Sequence, residues 1–178
     1  MDSTATIQAG TTYSVLALLQ DTVAGGNLAE PFSIGTSGGV NSQKMEWTID
    51  FNGSVLVNAH SFFNNTVRAN MLANYTASPN LIATGLTAGV SWVRAGGMTG
   101  ATVGTALSTT DAVFRLGGSR PQNLYPLSGR LFCLMVIASP VGSPNYLKTE
   151  AWMAWEFSSP ELLGASHPFV NRPPLIGD

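Results

Sequence analysis

The chain has 178 residues, of which 44% are hydrophobic and only 10% charged, and its net charge is −2. That length suits one domain, able to bury roughly 70% of the surface of its unfolded chain without a disulfide or metal staple, and the aromatic and aliphatic content excludes a disordered chain. The basic residues are dispersed (Lys44, Lys148, Arg68, Arg94, Arg115, Arg120, Arg130, Arg172), so neither the footprint of a nucleic-acid binder nor a run of ~18 apolar residues that would span a membrane is present.

In chain order, Met1-Asp2-Ser3-Thr4 carries neither a basic start nor an apolar core. No secretory signal is expected there, and residues 1–10 are expected to form an N-terminal arm. Residues 12–19 (TYSVLALL) form an apolar, partly β-branched run between Gly10 and Asp21, which predicts a buried strand. A loop around Gly25-Gly26 leads to a short strand at 31–35 and a Gly/Ser-rich turn region at 36–43. Over 45–51, Met45, Trp47, Ile49 and Phe51 alternate with Glu46, Thr48 and Asp50, the period-two mark of a strand with one buried face. Asn52-Gly53 follows, the preferred pair for a type I′ turn, with 54–59 as the returning strand.

Further strands are expected near 66–72, 89–95, 101–105, 112–116 and 129–137, with Gly85, Gly96-Gly97, Gly100 and Gly117-Gly118 punctuating the intervals. Many short strands at this spacing predict a sandwich or barrel. The lone Cys133 lies in the apolar run 131–138, where a buried structural thiol is expected. One helix is predicted from about 144 to 157. Ser143 is placed to cap it and Pro144 fits its first position, while Leu147, Ala151, Ala154 and Trp155 make one apolar stripe. Pro160 ends it, and the Pro-rich segment 158–178 is expected to run extended along the body. The fold class is therefore all-β, an antiparallel two-sheet sandwich with one short C-terminal α-helix, in a single domain spanning 1–178.

The last third carries a pattern. Leu116-Gly117-Gly118 is followed by Gly129-Arg130-Leu131-Phe132, then Glu150-Ala151-Trp152-Met153-Ala154-Trp155, Leu162-Leu163, His167-Pro168-Phe169 and Pro173-Pro174. Over about residues 114–174 this resembles the ending of concanavalin A-like, LamG-like jelly-roll domains. One departure is Trp155-Glu156-Phe157 where those domains often have Lys-Trp-Gly. The resemblance implies two face-packed antiparallel sheets, and a setting among phage structural proteins or bacterial surface proteins. Glu150, Trp155, His167 and Pro168 are assigned to structural closure, with Glu150 expected to favour the helix macrodipole near its start.

Chemistry is sparsely indicated. Glycoside hydrolysis on this fold needs two carboxyl groups ~5–9.5 Å apart, and the hydrolase branch's E-x-D-x-x-E pattern is missing. Glu46 and Asp50 share a strand face but stand about 13 Å apart. No catalytic residue is therefore nominated. His60 and His167 lack a ligand at metal spacing, so no metal site and no cofactor are expected; Ca²⁺ would fit some lectin-like relatives, but no acids cluster for it. Sugar binding calls for an exposed aromatic with polar partners, and the candidates are Asn74 with Tyr75 and Trp92 with Arg94. The leading expectation is a non-enzymatic virion structural protein, a phage capsid decoration or tail appendage on the virion surface. Its partners would be capsid or tail subunits, copies of itself and cell-surface polysaccharide. The alternatives are a carbohydrate-binding, lectin-like module outside the cell or on its surface, and a glycoside hydrolase of the same fold.

Overall fold

A computed structural model describes residues 2–6, 12–21, 28–35, 44–52, 54–56, 61–62, 67–68, 74–75, 79–88, 90–95, 98–99, 103–104, 113–116 and 129–178, with side chains for 12–20, 79–88, 90, 92–94, 116 and 129–178. The described chain is mostly β with one C-terminal helix. Its strands are β1 (Asp2–Thr6), β2 (Tyr13–Asp21), β3 (Leu28–Gly35), β4 (Lys44–Asn52), β5 (Ser54–Leu56), β6 (Ser61–Phe62), β7 (Val67–Arg68), β8 (Asn74–Tyr75), β9 (Asn80–Thr87), β10 (Val90–Ala95), β11 (Met98–Thr99), β12 (Val103–Gly104), β13 (Val113–Leu116) and β14 (Gly129–Ile137). The helix α1 (Pro144–Glu156) and a 3₁₀ turn at Pro160–Leu162 follow.

Among the described residues, all pairings are antiparallel and fall into two sheets. One runs β11-β10-β9-β2-β14, with β12 also on β10; the other runs β1-β13-β3-β4-β5-β8, with β6 joining β4 to β7. The first strand expected from 12–19 and the last from 129–137 pair side by side, Ser14 opposite Ile137 and Leu19 opposite Leu131, with a bulge between Leu131 and Cys133. Asp2–Thr6, within the expected N-terminal arm, pairs with β13. The expected hairpin at Asn52 forms, with β4 and β5 antiparallel, but in a different register. Asn52 faces Ser54 and Phe51 faces Val55, whereas a two-residue turn after Phe51 would set Phe51 opposite Ser54. The turn region at 36–43 lies outside the described residues.

The central strand β9 was not anticipated. Its sequence, NLIATGLT, shows no alternation because both its faces are buried from Leu81 to Leu86. Gly85 looks like a breaker, yet it is required. It sits opposite Trp92 on β10 and Ser14 on β2, and an added Cβ would strike the Tyr13 carbonyl oxygen and come within 2.7 Å of the Trp92 ring. Where the chain returns to β10, Thr87 pairs with Val90. Ala88, just after Thr87, takes φ 49°, in the left-handed region.

Leu16, Leu18, Leu81, Ala83 and Trp92 form one face of the β10-β9-β2-β14 sheet, and α1 covers that face with Tyr146, Ala151, Met153 and Ala154; Leu163 and Phe169 of the segment after it complete the core. The opposite face (Val15, Ala17, Leu19, Ile82, Thr84, Leu86, Val93) is buried as well. The C-terminal segment is not extended. It proceeds by tight turns, with Leu163 N–H donating to Pro160 O, His167 to Gly164 O, Val170 to His167 O and Asp178 to Leu175 O. A φ fixed near −65° by proline suits a turn as well as an extended strand, and burying Leu163, His167 and Phe169 requires the chain to fold back.

Candidate functional site

The side chains with chemical capacity that the described structure brings together lie between β10, α1 and the C-terminal turns. Trp92 and Arg94 are two apart on β10 and so project to the same face, the one that α1 covers. Helix α1 is placed by its cap: Ser143 Oγ accepts from Tyr146 N–H at 3.3 Å and Pro144 occupies the first turn. Tyr146 and Glu150, one turn apart, then point inward together.

Glu150 is the hub. Arg94 Nε donates to its Oε1 at 2.9 Å and its Oε2 at 3.3 Å, and Tyr146 Oη donates to Oε1 at 3.2 Å. The guanidinium also lies 5.9 Å from the Tyr146 ring centroid. On the far side, His167 Nε2 stands 3.3 Å from Glu150 Oε2 but does not meet hydrogen-bond geometry, and it is a buried side-chain polar atom left without a hydrogen bond. His167 Nδ1 accepts from Phe169 N–H at 3.2 Å, which places the ring proton on Nε2, facing the carboxylate.

Burial alone pushes Glu150 up, but the imidazole contact and the Arg94 charge outweigh it and hold the carboxyl below its ordinary range. Burial first, and then the Glu150 charge, push Tyr146 well above the usual phenol value, so its hydroxyl stays a donor. A carboxylate that is buried, ionised and held by these donors is not placed to exchange protons with a substrate. The arrangement fastens sheet, helix and C-terminal turns to one another. Glu150 is the seventh residue of α1 counted from Pro144, and no acidic residue lies in the first turn, so the expected macrodipole role is replaced by this pairing.

The remaining nominated residues are placed as follows. Trp92 is only 1% exposed. It packs edge-on against Tyr146 at 5.7 Å and 84°, and its indole N–H donates to Thr87 Oγ1 at 3.1 Å; an exposed sugar platform is not available there, because the helix lies on it. Trp155 donates its indole N–H to Phe169 O at 2.9 Å, and Pro168 is exposed between buried His167 and Phe169. Asn74 and Tyr75 form β8, paired with β5 in the other sheet, so the structure does not join them to Trp92 and Arg94 in one ladder; their side chains lie outside the described residues. Sequence reasoning missed Tyr146, whose spacing of four from Glu150 was the available signal. Among the described residues no group of three His, Cys, Asp or Glu could hold a metal, and no helix is long and apolar enough to cross a membrane.

No family model and no curated protein matches the sequence. Solved structures do match. The chain is 17% identical to the CBM40 of Ruminococcus gnavus IT-sialidase, with a TM-score of 0.55 over 75% of this chain and 79% of that one. Against the SAP-like pentraxin of Limulus polyphemus the values are 14%, 0.57, 92% and 78%. Against the enzymatically active domain of tailspike protein 2 of bacteriophage CBA120 they are 12%, 0.53, 86% and 25%. These matches show a jelly-roll fold like that of concanavalin A-like proteins. The likeness extends to fold alone at these identities. The chain spans only 23% of the leech intramolecular trans-sialidase that it also resembles.

Proposed function

We propose that this chain is a non-catalytic structural and recognition module of a phage particle, a tail appendage or capsid decoration, built as two antiparallel sheets packed face to face. The observation that carries the reading is the commitment of Glu150, Arg94, Tyr146 and His167 to fastening the helix and the C-terminal turns onto the sheet, which leaves loops, edges and surfaces as the working parts. The sandwich is supported by burial on both faces of β2 and β9: α1 covers one, and a second apolar layer is needed over the other. The virion setting is supported by the tailspike, in which a region of this fold makes up about a quarter of the chain. The test is to remove the protein from purified particles. Loss of particle stability or of host attachment is expected, restored by adding the pure chain; particles indifferent to its removal would refute the reading.

A second reading, a carbohydrate-binding module, is favoured by the CBM40 likeness, which extends to structures of that module bound to α2,3- and α2,6-sialyllactose. Glycan-array binding by the pure chain, with no effect on particle integrity, would favour it. Trp92 is then a poor choice for mutation, because its burial makes any change a change of fold.

A further inference from the structure

We propose that the chain forms a two-fold dimer through the outer ridge of α1, with a second copy of itself as the occupant. The inner side of the helix is spent on the core through Tyr146, Glu150, Ala151, Met153 and Ala154. The opposite side carries Lys148, Trp152 and Glu156 at four-residue intervals, one i±4 ridge of the kind by which helices interlock. Trp152 is 45% exposed in the middle of it, a large apolar surface at a position where a solvent-facing helix carries polar residues.

The ridge is complementary to itself. Lys148 and Glu156 stand equally far from Trp152, each about 6 Å along the axis, on opposite sides. A two-fold axis at Trp152 stacks the two indoles and sets Lys148 of each copy against Glu156 of the other, with the helices antiparallel and their dipoles opposed. The surroundings agree. At the Lys148 end, its ammonium holds the Asp178 carbonyl, and Asp178 also takes Arg172 at 2.8 and 2.9 Å and Leu175 N–H at 2.6 Å. These bonds fix a turn that displays Leu175 and Ile176 to solvent. At the Glu156 end, Phe157 turns inward to pack against the core, 6.0 Å from Phe132. The Trp152 pair is then the apolar centre, flanked by the two Lys148–Glu156 pairs, with the exposed Leu175 and Ile176 beyond the Lys148 ends.

This inference is independent of what the sandwich recognises, since a monomer that still rescues stripped particles would overturn it alone. The experiment is sedimentation velocity on the 178-residue chain, with melting curves to confirm folding. The wild type is expected to be a dimer. Lys148→Glu or Glu156→Lys is expected to weaken it about tenfold or more by setting like charges opposite each other, and Trp152→Ala is expected to do the same. The doubly reversed Lys148→Glu/Glu156→Lys chain, which lacks the Lys148–Asp178 contact, is expected to dimerise more tightly than either single reversal. A wild type that remains monomeric, single reversals without effect, or a double reversal as weak as the singles would each overturn the proposal. The last of these would trace the loss to the Lys148–Asp178 contact instead.

Discussion

Two residues show how a side chain, or its absence, sets the local structure. Gly85 carries no chemistry, yet the Tyr13 carbonyl and the Trp92 ring occupy the space of its Cβ. Gly85→Ala is therefore expected to cost about 2–3 kcal/mol, measured by denaturant unfolding, although alanine is the smallest change available. Glu150 sits at the other extreme, with its charge buried and matched by Arg94. Glu150→Gln is expected to cost about 3 kcal/mol at neutral pH, because it strands the Arg94 charge. The pH dependence follows from the direction of the Glu150 shift. The folded value lies below the ordinary 4.5, so the stabilisation is fully present above that value and is lost as pH falls through the folded one. The difference in Tm between wild type and Glu150→Gln should be constant above pH 4.5 and shrink in more acidic buffers; a difference that grows in acid would refute the assignment.

At the scale of elements, α1 is bounded by local chemistry. Ser143 caps its start, and Ser143→Ala is expected to lower stability by about 1 kcal/mol. Its end is a Schellman closure: Ser159 N–H donates to Ala154 O at 2.8 Å and Ser158 N–H to Trp155 O at 3.1 Å, with Ser158 at φ 54°. Glycine is the residue suited to that left-handed position, so Ser158→Gly is expected to raise stability by up to about 1 kcal/mol, readable as a higher Tm. The cap and the proline made the helix start legible from sequence, and Pro160 made its end legible. Strand β9 was hidden for the opposite reason: burial on both faces removes the period of two, and Gly85 imitates a turn. The register at Asn52 was equally hidden, since a favoured dipeptide gives only a preference and the pairing of β4 with β5 decides which residues face each other.

Across the whole molecule, the C-terminal turns hold the most distant parts together. Phe169 is buried against the core that β2, β9, β10 and α1 share, its carbonyl takes the Trp155 indole N–H, and its own N–H binds His167. Phe169→Ala is expected to cost about 3–5 kcal/mol and to increase hydrogen exchange in α1 as well as in 158–178. Exchange that rises only in 158–178 would mean that this segment is a separate appendage. The resemblance read from residues 114–174 anticipated the kind of fold that the solved structures support, because its marks (the long last strand, the capped helix, the His-Pro-aromatic segment) are local and leave local signals.

The sequence by itself determined that the chain is β-rich, that one helix runs between Ser143 and Pro160, and that its first and last long apolar runs are strands, since composition, capping chemistry and apolar runs act over a few residues. Only the tertiary structure decided that those two strands are neighbours, that Gly85 makes room for Trp92, and that Arg94 meets a carboxylate 56 positions away. Such contacts depend on register and on which face a helix covers, and neither is written in any short stretch of chain.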